Sequence, residues 1–303
     1  MTLVQLKYAV VLDKIKNFAQ AAQVLYIAQP TLSLQIQKLE KELGIQIFDR
    51  TTNPISVTAE GKELIKQAKI VLQEAEKLEY MFKEGNGVLS GEIQLGIIPT
   101  ISSSLLVKLL PVLQEKYTNL KVKIYELPTA QIIQKLESKE LDIGILATPL
   151  HNKKIIEKPI YYEPFLIYLP PSFKTKKDKI SLEELEGYEM ILLGDEHCFR
   201  GQTLKLCRQS GFGNIEAGSF ETIKKLVDKD LGVTLLPFFE EVNFQERLRE
   251  IKGNIPAREV SFVTSQFFYK NEVLQALKKE ILQIIPKEYH SGRSFQIIGV
   301  DSV

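Results

Sequence analysis

The hydrophobic pattern of this chain changes its period once, at the glycine-rich segment 84–91. Before that segment, apolar residues recur every three or four positions, which predicts amphipathic helices. After it, short apolar runs alternate with helical patterns of roughly 10–15 residues, which predicts strands that alternate with helices. We therefore expect an all-α N-terminal part followed by an α/β part, and 303 residues allow each part to bury its own core.

The N-terminal part predicts two helices joined by a tight turn, which is the arrangement of a helix-turn-helix. The first is expected to begin at Asn17, and the second at Gln29, with Pro30 in its first turn and Gly44 at its end. A second helix that opens with amide and hydroxyl side chains suits the major groove, where amides can pair with adenine edges. The segment 51–57 then predicts a small wing. The alternative is a three-helix bundle with an ordinary polar surface.

The stretch that contains Ala21-Ala22, Gln29-Pro30-Thr31-Leu32-Ser33 and Leu43-Gly44 is continuous over about sixty residues. It closely resembles the winged helix-turn-helix of LysR-type transcriptional regulators. The resemblance implies a DNA-binding domain over residues 1–58 that contacts double-stranded DNA through Gln29, Pro30, Thr31, Ser33, Gln35 and Arg50. This domain has six basic against four acidic side chains, and the whole chain has a net charge of +1, so one copy alone should bind DNA weakly.

The segment 59–87 predicts a long linker helix with Thr58 as its N-cap. Its apolar residues alternate four and three apart, as in a coiled-coil seam. The seam consists of Leu64, Ala68, Val71, Ala75, Leu78 and Phe82. We expect this helix to pair two copies of the chain, although a single helix packed on its own core remains an alternative. The family resemblance agrees with a homodimer and implies a dimer of dimers and RNA polymerase as a further partner.

The segment 88–303 predicts a regulatory domain made of two α/β halves. Strands are expected at 92–98, 120–125, 141–146, 163–169, 189–193, 232–237 and 258–264, and helices at 103–117, 129–138, 181–186, 202–207, 219–228 and 271–284. The halves resemble the periplasmic-binding-protein-like regulatory domain of the same family, in which a ligand lies in the cleft between the lobes. Lobe I is expected to comprise about 88–162 and 266–288, and lobe II about 163–265, with chain crossings near 162 and 265. The tail after about residue 288 is not assigned.

The chain has two cysteines, Cys198 and Cys207, nine residues apart. By count alone they are ordinary buried side chains, because structural disulfides are rare in a reducing cytosol. A thiol that reacts with peroxide needs a lowered pKa, for which His197, Arg200 and a helix N-terminus are available. If the intervening segment is helical, the two Cα atoms lie roughly 13 Å apart, whereas a disulfide needs less than ~7 Å. A disulfide would therefore require this segment to unwind.

The pattern His197-Cys198-x-Arg200-x-Gln202 followed by Cys207 resembles the peroxide-sensing members of the LysR family. So do Gly96-Ile97-Ile98-Pro99-Thr100 and Thr129-x-Gln131. The resemblance implies that peroxide is bound and activated by Thr100, Thr129, His197, Arg200 and Arg258. It predicts a DNA-binding activator of antioxidant genes that senses hydrogen peroxide through Cys198 oxidation and a reversible Cys198–Cys207 disulfide. The alternative for either threonine is simple helix capping.

Two other functions remain to be compared with this hypothesis. One is a LysR-type regulator that responds to a small organic effector between the lobes, with incidental cysteines. The other is a thiol peroxidase, which the helix-turn-helix disfavours, so no enzyme activity is expected. No cofactor or metal is expected either, because adjacent His197 and Cys198 cannot easily point at one ion. The absence of a signal-peptide pattern and of an apolar run of ~18–20 residues predicts a cytoplasmic protein without a membrane partner.

Overall fold

A computed structural model of the chain describes residues 1–83, 89–207 and 215–300, and all their side chains except those of 79–83. The contacts within the chain divide it into two compact units, Met1–Gly87 and Val88–Val303. The predicted combination of an all-α N-terminal part with a two-lobed α/β part is confirmed.

The N-terminal unit is a winged helix-turn-helix followed by one long helix. Its elements are α1 (Leu3–Ile15), α2 (Phe18–Val24), α3 (Gln29–Leu43), β1 (Phe48–Asp49), β2 (Ser56–Val57) and α4 (Ala59–Lys83). The wing is the antiparallel pair of β1 and β2. The side chain of Asn17 accepts from the amide of Gln20 at the start of α2, and Thr58 accepts from the amide of Gly61 at the start of α4. Gly44 ends α3 with φ +69°, so the predicted helix boundaries are confirmed.

The core of this unit explains why the helices pack so closely. It is formed by small and branched side chains, namely Leu6, Ala9, Leu12, Ala21, Ala22, Leu32, Ile36, Leu39, Ile47, Phe48, Ile65 and Ala68. Gly61 allows α4 to start against the backbone after α3, since a Cβ there would lie 2.2 Å from the carbonyl oxygen of Ile47. This close approach fixes where α4 leaves the winged helix-turn-helix.

The regulatory unit begins with the predicted strand–helix alternation. Its elements are β3 (Gly91–Ile97), α5 (Pro99–Lys116), β4 (Leu120–Glu126), α6 (Thr129–Glu137), β5 (Ile143–Thr148), β6 (Ile155–Tyr168), β7 (Lys179–Ile180), β8 (Ile191–Leu193), α7 (Cys198–Leu206), β9 (Ile215–Ala217), α8 (Phe220–Asp228), β10 (Thr234–Pro237), β11 (Leu248–Ile251), β12 (Pro256–Ser265), α9 (Asn271–Ile284) and β13 (Gln296–Ile297). The segment expected as a helix at 181–186 is a short 3₁₀ turn, Leu182–Leu185. The helix expected at 103–117 starts earlier, at Pro99.

The main sheet is mixed, with parallel and antiparallel strands. Strand β3 lies between β4 and β5 and is parallel to both. The long strands β6 and β12 are antiparallel to each other, and β12 is also antiparallel to β5. The sheet is mixed because β12 runs antiparallel to both of its neighbours, β5 and β6.

Two hydrophobic cores occupy this unit. The first core contains side chains of β3, β5, α5, α6, α9 and β12, and the second core contains side chains of β8, α7, α8 and β10 together with the end of β6. Strand β6 serves both cores, with Tyr161 in the first and Phe165 in the second. The crossing near residue 162 is therefore the middle of one strand. Val260 and Phe262 lie in the first core, so the second crossing precedes them and is not at 265.

The tail after residue 288 is part of the fold. Strand β13 pairs in parallel with the start of β12, through Pro256 with Gln296 and Ala257 with Ile297. Beyond it, Ile298 is buried in the second core and Val300 in the first. The tail therefore runs along the two-core unit and contacts both cores.

Candidate functional site

Cys198 is placed at the first turn of a helix and at the contact of the two cores. The chain leaves strand β8, turns through 194–197, and starts α7 at Cys198 with His197 as the N-cap residue. The half-buried Cys198 packs against the first core, while the next residue, Phe199, is buried in the second core. A change at this thiol therefore acts on both cores at once.

A buried arginine organises the surroundings of the thiol. The side chain of Arg258, on β12, is fully buried. Its Nε donates to Glu163 Oε2 over 2.8 Å, and its Nη2 lies 2.7 Å from the same oxygen. It also donates to the hydroxyl and the carbonyl oxygen of Thr100, over 2.8 and 2.7 Å. The guanidinium lies 5.3 Å from the ring centre of Phe199. One cation thus joins β6, β12, α5 and α7.

The two threonines of the prediction stand at the starts of α5 and α6, directly after the adjacent strands β3 and β4. Neither helix has a side-chain cap at its N-terminus, so the capping alternative does not describe them. Thr100 uses its hydroxyl to accept from Arg258. The hydroxyl of Thr129 is buried and completes no hydrogen bond in the described part of the chain, and the group that it acts on is the Cys198 thiol. A buried orphan hydroxyl is costly and marks a place where a polar group could bind.

The pKa of the Cys198 thiol is raised, and burial is the main cause. The guanidinium of Arg258, the hydroxyl of Thr129 and the amides of Cys198 and Phe199 act in the opposite direction and favour the thiolate. The sequence suggested a lowered pKa for this thiol, but the loss of solvent around the buried sulfur outweighs the groups that favour the thiolate.

The structure gives other partners to the side chains that were expected to lower this pKa. The guanidinium of Arg200 lies 2.7 Å from a carboxylate oxygen of Glu216, on β9. The Nε2 atom of His197 lies 3.2 Å from the carbonyl oxygen of Gly218, to which it can donate. The cation that favours the thiolate is therefore Arg258, which the sequence offered only through the family resemblance.

Cys207 lies at the other end of α7, as its C-cap residue. It is buried in the second core, and burial raises its pKa from an ordinary value of 9.0 to about 11. Both cysteines are free thiols. Because α7 is a continuous helix from Cys198 to Leu206, the two Cα atoms are roughly 13 Å apart along its axis. The prediction that a helix separates the two thiols is confirmed.

A cavity of about 500 Å³ opens next to this site. Its walls come from the start of α5, including Thr100 and Ser102, and from His197 and the start of α8. Two carboxylates, Glu126 and Glu240, also line it. The cavity lies between side chains of the first and second cores, where the sequence predicted a ligand cleft.

The residues predicted to contact DNA lie in the first half of α3, except Arg50, which lies beside it. Gln29, Pro30 and Thr31 are exposed at the N-terminus of α3, and Ser33 and Gln35 are half-buried one turn later. The amide of Gln5 donates to Gln35 over 3.1 Å. The guanidinium of Arg50 donates to Ser33 and Glu40, and it stacks 5.0 Å from the ring centre of Phe18. Its place beside α3 is thus fixed before DNA arrives.

The predicted seam on α4 is shared between two roles. Ala68 is buried in the core of its own unit, and Leu64 and Val71 pack at the edge of that core. Ala75 is half-buried and Leu78 is 60% exposed. Phe82 lies in α4, but its side chain is outside the described residues, as are residues 84–87 of the linker. The first half of the seam therefore fits the alternative of a helix packed on its own core.

The sequence assigned no role to three residues around the site. Glu163 anchors Arg258, Phe199 lies under its guanidinium, and Gln202 is buried on the tail-facing side of α7. In the sequence, a charged residue before a proline does not indicate an ion pair with a buried arginine.

Over residues 1–83, 89–207 and 215–300, no group of three or more His, Cys, Asp or Glu side chains could hold a metal ion. In the same ranges, no helix is long and apolar enough to cross a membrane.

Two family models match the chain. The bacterial regulatory helix-turn-helix protein model of the lysR family matches residues 3–62, and the LysR substrate binding domain model matches residues 86–284. Together they cover the winged helix-turn-helix and most of the two-core unit.

Named relatives and solved structures agree with these matches. The chain is 35% identical to the hydrogen peroxide-inducible genes activator of Haemophilus influenzae over 247 residues, which are 80% of this chain and 82% of that protein. It is 33% identical to the DNA-binding transcriptional dual regulator OxyR of Escherichia coli over 241 residues, 78% of this chain and 79% of that protein.

Full-length structures are similar over nearly the whole chain. A full-length OxyR variant from Pseudomonas aeruginosa has a TM-score of 0.78 and 32% identity, and the match covers 93% of this chain and 94% of that chain. A hydrogen-peroxide-bound OxyR mutant from Corynebacterium glutamicum has a TM-score of 0.62 and 29% identity, with 93% of each chain covered. With its helix-turn-helix and its two-lobed regulatory domain, the chain belongs to the LysR family of bacterial DNA-binding transcriptional regulators.

Proposed function

We propose that this chain is an OxyR-like activator that senses hydrogen peroxide through Cys198. The observation that carries the proposal is the buried, unpartnered hydroxyl of Thr129 beside a thiol at a helix start. Arg258 supplies a buried positive charge to the same place and holds the second hydroxyl, that of Thr100. A small ligand with two hydroxyl groups fits such a set of donors and acceptors. The names of the similar proteins support the same signal.

The proposed chemistry proceeds in two steps. The thiolate sulfur of Cys198 attacks one peroxide oxygen, the O–O bond breaks, and the leaving hydroxide takes a proton to become water. Cys198 is then a sulfenic acid. The thiol of Cys207 gives up its proton, and its sulfur attacks the sulfenic sulfur, which forms the disulfide and releases a second water. A dithiol reductant reverses the reaction by exchange.

The proposed signal is the change of structure that the second step requires. Helix α7 holds the two Cα atoms roughly 13 Å apart, and a disulfide requires less than ~7 Å. The bond can therefore form only if α7 loses its helical form between the two cysteines. Because Phe199 and Cys207 are buried in the second core, this unwinding repacks that core. The proposal is that this repacking alters how the protein holds DNA.

The remaining partners follow from the family and are proposed in the same way. Double-stranded DNA is contacted by Gln29, Pro30, Thr31, Ser33, Gln35 and Arg50. The chain acts as a homodimer through α4, pairs into a dimer of dimers on DNA, and contacts RNA polymerase to activate antioxidant genes. The exposed side chains at the start of α3 and the exposed Leu78 support the first two of these proposals.

Mass mapping of the two cysteines before and after equimolar hydrogen peroxide tests the proposal. We expect a loss of two hydrogens across the peptides of Cys198 and Cys207. Cys198→Ser should abolish the reaction and the transcriptional response, whereas Cys207→Ser should stop at a sulfenic acid on Cys198. The two single variants control each other, because only Cys207→Ser should retain the first step. Two intact thiols after treatment, or a normal response in Cys198→Ser, would contradict the sensor role.

The cavity beside the site favours a second candidate, a regulator that responds to a small organic effector. Its volume of about 500 Å³ is much larger than a peroxide molecule needs. In that case the double variant Cys198→Ser/Cys207→Ser would still change its DNA occupancy when the effector is added. A double variant that is locked in one DNA-binding state under all conditions tested would favour peroxide as the signal.

A further inference from the structure

The C-terminal residues 296–300, here called the strap, are bound to β12 on one side. The amide of Gln296 donates to the carbonyl oxygen of Ile255, and the amide of Ile298 donates to that of Ala257, each over 2.9 Å. Ala257 directly precedes Arg258, the cation that favours the Cys198 thiolate. The strap is therefore attached to the strand that carries the site.

On its other side the strap is bound by α7 itself. The side-chain amide of Gln202 donates to the carbonyl oxygen of Ile298 over 2.6 Å, and the ammonium of Lys205 donates to that of Gly299 over 2.8 Å. Gln202 is fully buried. The side chain of Ile298 lies in the second core with Phe199 and Cys207. Two hydrogen bonds thus connect the strap to the helix that separates the two cysteines, and strap and helix share one hydrophobic core.

These contacts depend on the helical form of α7. Gln202 and Lys205 lie one turn apart, so their side chains project to the same face of the helix and reach successive carbonyl groups of the strap. When Cys207 approaches Cys198, the end-to-end length of this segment must fall by roughly 6 Å, and its last turn cannot survive. Lys205 then leaves Gly299, and Cys207 leaves its place in the core that also holds Ile298.

We propose that the strap is a latch for the dithiol state: it binds helical α7, and it is released from β12 when the disulfide forms. The inference rests on the proposed peroxide-sensing function and adds a regulatory element to that site. Because binding and oxidation are linked, the coupling acts in both directions. A strap that favours helical α7 makes the disulfide easier to reduce, and a weakened strap shifts the equilibrium toward the disulfide.

Hydrogen exchange of the strap amides, measured in the full-length protein, tests the release. In the dithiol form the amides of Gln296 and Ile298 should exchange slowly. In a sample whose disulfide is verified by mass, they should exchange at least tenfold faster, while the amides of β3 to β5 stay unchanged. Peroxide-treated Cys207→Ser is the matched control: it carries a sulfenic acid but no disulfide, so its strap should remain protected.

The outcomes separate the two levels of the proposal. A verified disulfide with unchanged protection of Ile298 overturns the latch and leaves peroxide sensing intact. Release in Cys207→Ser without a disulfide also overturns it. A sample in which peroxide forms no disulfide contradicts the proposed function itself, and the latch with it.

A redox titration in glutathione buffer tests the coupling from the other direction. Lys205→Met removes one donor to the strap, and it should shift the equilibrium toward the disulfide by about three- to tenfold, the factor that one hydrogen bond is worth. Lys278→Met is the control, since Lys278 also donates to a backbone carbonyl, that of Pro159 over 2.9 Å, but from α9. An equilibrium in Lys205→Met equal to that of the control would overturn the latch.

Discussion

Two opposing influences act on the thiol of Cys198. Burial raises its pKa, while Arg258, Thr129 and the first amides of α7 favour the thiolate. The charge of Arg258 is in turn shared with Glu163, its buried carboxylate partner. A thiol held in this balance is mostly protonated at neutral pH, and its reaction depends on groups that stabilise negative charge as it develops on the sulfur and the leaving oxygen. Among the side chains in this set, Thr129 spends no hydrogen bond elsewhere in the described part of the chain, whereas Arg258 is engaged by Glu163 and Thr100.

Thr129→Val tests that role, because valine has nearly the same shape without the hydroxyl. We expect the oxidation of Cys198 by peroxide to slow by roughly ten- to a hundredfold, as one charge-assisted hydrogen bond is lost. The free energy of unfolding should stay the same or rise by about 1 kcal/mol, since a buried unsatisfied group is removed. Stopped-flow oxidation and urea unfolding measure the two effects. Thr264→Val is the control, since this buried threonine lies on β12 about 20 Å from Arg258. Equal oxidation rates in the two variants would contradict this role of Thr129.

Cys207 should make the stability of the dithiol protein depend on alkaline pH. Its pKa is raised from 9.0 to about 11 in the folded protein. Between these values the folded state holds a proton that the unfolded state has lost, so the free energy of unfolding falls as the pH rises from about 9 to about 11. At pH 10.5 the loss should be roughly 2 kcal/mol. Unfolding of the wild type and Cys207→Ala under reducing conditions, at pH 8 and 10.5, isolates this contribution. A pH-independent difference between the two proteins would contradict it.

Helix α7 is the element that would have to unwind for the proposed disulfide to form, and its sequence is suited to that. It has only nine residues, and Gly201 stands fourth among them. Glycine in a helix interior costs about 0.5–1 kcal/mol relative to alanine. Unwinding α7 therefore requires less free energy than unwinding a helix of the same length without an interior glycine.

Gly201→Ala should slow the second chemical step and leave the first unchanged. We expect disulfide closure to become about two- to fivefold slower, because the helix that has to unwind is more stable. The sulfenic acid on Cys198 should live correspondingly longer, which trapping with a dimedone reagent and mass spectrometry would measure. The rate at which the Cys198 thiol disappears is the internal control. Faster closure in this variant would mean that unwinding of α7 does not limit the reaction.

The elements that the sequence predicted well are those with local signals. Helices α2 and α4 begin directly after Asn17 and Thr58, and α3 has Pro30 in its first turn, since capping and proline geometry act over one turn. The first half of β6 was missed, because Pro159 interrupts the pattern of a strand. Strands of two to four residues such as β7 and β13 exist only through pairing with distant segments, so no local pattern could reveal them.

The candidate site was predictable only in part for the same reason. Cys198 and Thr129 stand at helix starts that follow strands, and open α/β sheets concentrate function there. Arg258 lies in the middle of a strand and is fully buried, which sequence patterns do not favour for a cation. Its role requires Glu163, which is 95 residues away in the chain. Only the fold brings the two together.

The whole molecule joins a DNA-binding unit with little net charge to a regulatory unit that holds the proposed peroxide site. Six basic against four acidic side chains in residues 1–58 give one copy few phosphate contacts. Two copies on a two-part DNA site double those contacts. The affinity also rises, because once one DNA-binding domain is bound, the second is held at a high effective concentration near its half-site. The dimer is therefore the state in which we expect DNA to be bound.

Leu78→Asp tests this expectation on the seam side chain that is most exposed among those the structure describes. Leu78 is 60% exposed, and it is not part of the core of its unit, unlike Ala68. An aspartate on a coiled-coil seam places two like charges against each other, which should dissociate α4 pairs. We expect a lower molar mass by light scattering and at least a tenfold loss of affinity for a two-part DNA site. Affinity for a single half-site should not change, because the α3 face is untouched.

The control for this variant is Leu231→Asp, which changes a 49% exposed leucine outside α4. It adds the same charge to the chain, so a general electrostatic effect on DNA would appear in both variants. If Leu78→Asp remains a dimer with unchanged two-site affinity, α4 does not hold the copies together. The seam would then only pack on the core that contains Ala68, and the two DNA-binding domains would have to be paired through the regulatory units.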